Sequence, residues 1–192
     1  MKYKVIQTRM AHDGFLPIEE GTIVMENEEG KKYTYMRERV LRRDAAAVLL
    51  FNSDTRMITL TRQFRFAVHG KTNGFLTEIA AGKVDHHENE ELTAIRETLE
   101  ECGIEIKTSD LVKLSSFFAS PGYTAEKYHL FFVSHTNKQK INKGGGLAAE
   151  HEYIEVVEVP VDEFYRQVMN DEIPDAKTIM AALLAKQKGL IT

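Results

Sequence analysis

Four residues within one short stretch, Arg96, Glu97, Glu100 and Glu101, pose the chemical question of this sequence. On a helix, side chains three and four positions apart are neighbours, so these carboxylates crowd one another and repel by about 0.2–0.5 kcal/mol per pair on a plain surface helix. A cation relieves them. Hard divalent cations such as Mg²⁺ take oxygen ligands, and a carboxylate cluster is what a protein contributes when substrate phosphates complete the shell. An acidic helix also occurs simply as a solvated face, so spacing must decide between the two.

The helix that would carry these groups is marked at both ends. Asn89 suits the N-cap, Glu90 and Glu91 the first turn, and Gly103 the stop. At about 100° per residue, Leu92, Ile95, Leu99 and Cys102 share one narrow arc, the expected buried face, with Glu97, Glu100 and Glu101 opposite. Before and after it the chain reads mostly as short strands. "YKVIQTRM" and "GTIVMENEEGKKYTYMRERVLRR" predict an N-terminal sheet with a turn at "ENEEGKK"; "AAAVLLF" and "MITLTRQFRF" predict a hairpin, and "FLTEIAA" a further strand. "LVKLSSFFAS", "KYHLFFVSHT" and "EYIEVVEVP" follow as strands, then "VDEFYRQVMND" and "DAKTIMAALLAKQKG" as helices. The class is mixed α/β. "NKGGGLAAEHE" is a glycine-rich loop leading into acidic residues.

Composition narrows the partners. With 192 residues, 43% hydrophobic and 28% charged, the chain can bury a proper core. A net charge of -4 and a pI near 6.0 leave no basic footprint for nucleic acid or an anionic membrane surface. Cys102 is the single cysteine, which excludes an intrachain disulfide, and there is no signal peptide or long apolar run. The expectation is a cytoplasmic protein with neither a nucleic-acid nor a membrane partner. His129, His135 and His151 lack metal-ligand spacing with a cysteine partner and read as structural or surface residues.

Gly82, Glu88, Arg96, Glu97, Glu100, Glu101 and Gly103 fill every fixed position of the pattern G-x5-E-x7-R-E-x-x-E-E-x-G, and Ile104 supplies the aliphatic residue expected next. At ordinary residue frequencies the coincidence has a chance on the order of 10⁻⁸, which sets the solvated-face reading aside. The stretch is identified as the box of the Nudix hydrolases, with Thr98 where the family usually has an aliphatic residue. "TRQFR", "EIAAGKVD" and "SPGYTAEKYHLFFV" further resemble the nucleoside-diphosphate-sugar branch of that family over most of residues 40–185, although Ala80 stands where many relatives carry proline.

The resemblance implies an α/β/α sandwich with a mixed sheet over residues 44–192, and a small N-terminal antiparallel sheet over residues 1–43 that swaps across a two-fold axis in a homodimer. It implies Mg²⁺, or Mn²⁺, held by Glu97 and Glu101, with Glu100, the carbonyl of Ala81 and Glu152 joining them. Arg96 would hold the carboxylates in place, and Glu88 would orient the box. Arg65 becomes a phosphate clamp, and Glu78, Arg37 and Arg39 further substrate-binding positions; Tyr33, Tyr35, Arg37 and Arg39 alternate along one strand. In the acidic loop Glu150 matches the general base, with Glu126 in the Ser-Pro-Gly loop competing for that role, and the flanking glycines would let the loop move. The implied reaction is hydrolysis of a nucleotide sugar, ADP-ribose to AMP and ribose 5-phosphate. The alternative is GDP-mannose to GMP and sugar 1-phosphate, since hydrolases of that substrate also show a Gly-Gly-Gly acidic loop and a segment like "DAKT" at 175–178. A non-catalytic ligand sensor is the remote third reading, which the intact box glutamates disfavour.

Overall fold

The computed structural model describes residues 1–191, with Glu150 by its backbone alone. Three strands open the chain, β1 (Lys2–His12), β2 (Ile18–Glu26) and β3 (Lys32–Val40), antiparallel in the order β1-β2-β3. The β2–β3 turn follows from its residues. The Asn27 side chain accepts the amides of Glu29 and Lys31 at 3.1 and 2.9 Å, and Gly30 takes the left-handed φ of +79°. Residues 117–127 belong to the same compact unit as residues 1–44. Within it the Val40 amide donates to the Tyr123 carbonyl at 2.8 Å, the Lys127 amide to the Asp44 carboxylate at 3.2 Å, and Arg42 Nε to Glu126 at 3.0 Å. The unit is therefore built from two distant stretches of chain.

The second unit, residues 45–116 and 128 onward, is organised by a seven-stranded mixed sheet. Its strands are β4 (Ala45–Asn52), β5 (Met57–Phe64), β6 (Phe75–Glu78), β7 (Ala80–Lys83), β8 (Val112–Phe118), β9 (Lys127–His135) and β10 (Glu155–Pro160). The path runs β10-β5-β4-β9-β8, with β6 on β5 and β7 on β4; β4 and β9 are parallel. Helices α1 (Glu90–Cys102), α2 (Val161–Met169) and α3 (Ala176–Gln187) complete it. Every residue of β4, "AAAVLLFN", is buried, as a central strand covered on both faces requires. Ala46, Val48 and Leu50 join Ala80, Ala94, Cys102, Phe131 and Val133 in the core under α1. The alternate residues face the other way, and α3, which packs on β4 with Ala181, Ala182 and Ala185 buried, covers that side. This is the α/β/α sandwich with a mixed sheet, accompanied by the small antiparallel sheet. Among the described residues no helix is long and apolar enough to cross a membrane.

Helix α1 has the ends its sequence asks for. The Asn89 side chain accepts the Leu92 amide at 2.8 Å, and Gly103 closes the helix at φ +70°. Its buried face differs from the expected one: Thr93, Ala94, Glu97, Thr98, Glu101 and Cys102 are buried, whereas Leu92 is 49% exposed and Ile95 and Leu99 are only partly covered. Small residues let the helix lie close to β4 and β7, and the larger apolar side chains splay to its margins. Thr98 is fully buried and, among the described residues, its hydroxyl has no partner. Because an unsatisfied buried hydroxyl costs about 1–3 kcal/mol, Thr98→Val is expected to stabilise the protein by about 1 kcal/mol, read as a rise in the urea midpoint; a drop would show that the hydroxyl finds a partner in solution.

Candidate active site

The carboxylates of α1 turn inward because β7 makes room for them. A Cβ at Gly82 would lie 1.7 Å from Glu97 Oε1, so any other residue there would displace the Glu97 side chain from this position. Glu101, 2% exposed, accepts the Ala81 amide at 3.0 Å. Burial pushes both carboxyls up, Glu97 to about 7 and Glu101 to about 8. The charges of Glu100 and Glu152 add to the rise at Glu97, where Arg96 opposes it; those of Glu97 and Glu152 add to the rise at Glu101, where the Ala81 amide opposes it.

Arg96 is the hub of the outer carboxylates. It donates to Glu88 at 3.1 Å, to Glu97 at 2.7 Å, to Glu100 at 3.0 Å and to the Lys83 carbonyl at 3.4 Å. Burial works against its charge, but the bonds to Glu88 and Glu97 outweigh that and hold the guanidinium above its ordinary pKa. Glu88 also accepts the Thr93 hydroxyl at 2.9 Å, which ties the loop before α1 to its first turn. The structure thus brings Glu97, Glu100, Glu101, Arg96, Ala81 and Glu152 into one neighbourhood. Glu150 lies in a short 3-10 turn, Ala148–Glu150, and its side chain falls outside the described residues.

A second cluster adjoins through charge. Arg65 donates Nε and Nη2 to the two oxygens of Glu78 at 2.7 and 3.3 Å, and it also feels the charge of Glu101. Glu78 is 3% exposed and accepts as well from Lys177, itself 6% exposed, which donates on to Asp175 at 2.9 Å. Burial pushes Glu78 up, but Lys177 and Arg65 pull harder and its pKa lies below the ordinary 4.5. Asp175 caps α3 by accepting the Thr178 amide at 3.0 Å, and the Thr178 hydroxyl accepts the Ile79 amide at 2.9 Å, where the chain passes from β6 to β7. Lys177, Asp175 and Thr178 were not among the site positions read from the sequence. Only the resemblance of "DAKT" pointed to them, because a helix start of this kind carries no local sign that its lysine is buried.

The remaining candidates lie in the first unit. Arg39 pairs with Glu19 at 2.6 Å, while Arg37 stacks on the Tyr35 ring at 4.6 Å and donates to the Met36 carbonyl. Both line a groove of about 450 Å³ together with Phe118, Tyr123 and Thr124. Glu126, 8% exposed, is held by Arg42.

Among the described residues no three His, Cys, Asp or Glu side chains already converge as a metal cage. The donor set nonetheless suits a hard divalent cation: Glu97 and Glu101 offer buried carboxylate oxygens whose pKa values are pushed up, with the charge of Glu152 felt at both. A model of the NUDIX domain matches residues 41–183. The chain belongs to the Nudix family and, with every fixed position of its box in place, is a hydrolase of that family, whose members generally work with a divalent metal ion. It is 31% identical over 193 residues to the GDP-mannose pyrophosphatase of Cronobacter sakazakii, covering 100% of this chain and 98% of that one. It is 32% identical over 189 residues to the GDP-mannose pyrophosphatase of Shigella dysenteriae, covering 97% and 96%. A crystal structure of an ADP compounds hydrolase shares the fold, with a TM-score of 0.75 at 19% identity over 99% of this chain and 96% of that one.

Proposed function

We propose that this hydrolase cleaves the pyrophosphate bond of a nucleoside diphosphate sugar, and that GDP-mannose, giving GMP and mannose 1-phosphate, is its substrate. The observation that carries the reaction is the pair of buried carboxylates Glu97 and Glu101, both held well above the ordinary carboxylate range, beside Glu152. Mg²⁺, with Mn²⁺ as its substitute, would be held there by these three, with Glu100 and the Ala81 carbonyl alongside. When bound it supplies positive charge against the pyrophosphate and acidifies water. The protein's own groups do the rest. Arg96 fixes the outer carboxylates from behind, and Arg65, anchored along one edge by Glu78, offers its remaining edge to a phosphate oxygen. Glu150 takes the proton as water oxygen bonds to phosphorus and the bridging P–O bond breaks, leaving two phosphomonoesters.

The relatives named for GDP-mannose match along essentially the whole chain, N-terminal strands included, and the "DAKT" segment sits directly on Glu78. These two points favour GDP-mannose. ADP-ribose is the second reading, favoured by the likeness of "TRQFR" and the Ser-Pro-Gly loop to that branch. A panel of nucleoside diphosphate sugars with Mg²⁺, scored by released phosphomonoester, tests both. Highest kcat/KM on GDP-mannose is expected; a preference for ADP-ribose overturns the first choice, and hydrolysis of nucleoside triphosphates alone overturns both.

The same reading includes a homodimer in which the N-terminal sheet reaches the partner and Arg37 and Arg39 meet its substrate. Tyr3, Ile6, Phe15 and Met36 lie 76%, 52%, 90% and 53% exposed, more apolar surface than a free sheet ordinarily shows to water. Sedimentation of the full chain is expected to give twice the 21.9 kDa of one subunit; a monomer at micromolar concentration removes the dimer.

A further inference from the structure

Three consecutive glycines in a loop ordinarily signal freedom, and the sequence of the acidic loop invites that reading. In the structure the run is bonded and closely packed. Gly144, Gly145 and Gly146 all have left-handed φ, +66°, +113° and +76°, and each is committed to a neighbour. An α-helix ends with carbonyls that have no partner inside it. Here the Leu99 carbonyl is taken by Gly103, while the Glu101 carbonyl accepts the Gly145 amide at 2.9 Å and the Glu100 carbonyl the Gly146 amide at 3.1 Å. On the other side, the Ile154 amide donates to the Gly145 carbonyl at 3.2 Å and the Glu152 amide to the Leu147 carbonyl at 3.3 Å, which closes the base of the loop.

The missing side chains matter as much as the bonds. A Cβ at Gly144 would lie 2.3 Å from the Glu101 carbonyl oxygen and 2.7 Å from the Cys102 carbonyl carbon, both backbone atoms of α1 that cannot turn aside. A Cβ at Gly146 would lie 2.9 Å from Glu152 Cβ and 3.1 Å from its Oε2. One end of the run is therefore moulded to Glu101 and the other to Glu152.

We infer that Gly144–Gly146 form a fixed clip on the end of α1 and are positioning residues that set Glu152 against Glu101. The inference rests on the reading above that these two carboxylates share a metal ion. Motion of the acidic loop then belongs to residues 147–151, beyond the clip, and leaves the Glu101–Glu152 relation intact.

The test joins hydrogen exchange with Mn²⁺ titration in the absence of substrate, on the full chain. In the unsubstituted protein the Gly145 and Gly146 amides are expected to exchange as slowly as those in the last turn of α1. Gly144→Ala is expected to weaken Mn²⁺ binding about tenfold or more. Gly189→Ala, which imposes left-handed strain at φ +63° with nothing within 4 Å of the new methyl, should change it less than about twofold. Gly146→Ala carries the same expectation as Gly144→Ala and replaces it if that variant does not fold. Exchange of the two amides at free-peptide rates, or unchanged Mn²⁺ affinity in the glycine variant, overturns the clip. Glu101→Gln run alongside separates the two claims. If it loses Mn²⁺ and the glycine variant does not, the clip alone is wrong; if it binds Mn²⁺ normally, the shared metal site falls and the clip's role falls with it.

Discussion

Glu97→Gln and Glu101→Gln are each expected to lower kcat by about 10²–10³-fold with Mg²⁺ present while the protein stays folded. The two halves of this expectation have one cause. Burial makes each site hostile to a lone negative charge, with Glu97 pushed to about 7 and Glu101 to about 8. An amide of the same shape is thus no worse a guest than the carboxylate in the metal-free fold, and the thermal midpoint without metal should not fall. With metal and pyrophosphate present the lost charge is the one that mattered. Near-normal turnover in both variants would remove the ligand assignment. The base is read from the same series: Glu150→Gln should lose kcat with Mg²⁺ affinity kept, whereas Glu152→Gln should lose both. If Glu126→Gln loses kcat and Glu150→Gln keeps it, the base is the carboxylate that Arg42 holds.

Glu78→Gln is expected to cost about 3–5 kcal/mol of stability at pH 7, the range for breaking a buried ion pair by removing one partner. Glu78 is the acceptor on which both Arg65 and the 6% exposed Lys177 depend. An amide can accept one bond but cannot balance the charge, and Lys177 would keep only Asp175. Urea unfolding measures the loss, and the double variant Glu78→Gln/Lys177→Met should recover part of it by removing the stranded ammonium. A loss under about 1 kcal/mol for the single change would place the Glu78 cluster among inert ion pairs. The pH dependence has a definite sign. Because the folded pKa of Glu78 lies below its ordinary 4.5, its contribution is complete above that pH and is lost as pH falls through the lowered value. Unsubstituted protein should therefore lose stability more steeply in acid than the variant.

Much of α1 was legible in its sequence because its signals are local. Asn89 and Gly103 act on the turns beside them, and the spacing of Arg96, Glu97, Glu100 and Glu101 is a property of one helix. Its orientation was not legible, since counting large apolar residues picks out Leu92, which stands 49% exposed, and passes over Ala94 and Thr98, whose small size lets the helix approach the sheet. Nor does periodicity show that Glu97 turns inward, which depends on the space left at Gly82. Lys177 was hidden for a different reason: its acceptor Glu78 lies 99 residues away, and a lysine in the first turn of a helix looks like surface. Composition likewise shows the conformational freedom of the glycine run, while the bonds of the Gly145 and Gly146 amides to α1 are tertiary and leave no local sign.

Arg42 and Glu126 are 84 residues apart in the chain, yet both belong to the unit that begins at Met1. A ribosome adding roughly 5–20 residues per second delivers the three N-terminal strands several seconds before residues 117–127. Until then Val40 has no Tyr123 carbonyl to donate to, and the meander waits with its last strand unfinished while most of the sheet that follows is being made. The unit that the N-terminal strands begin is thus completed late, and those strands, which carry exposed tyrosine, methionine and phenylalanine, spend that interval without the stretch that finishes them.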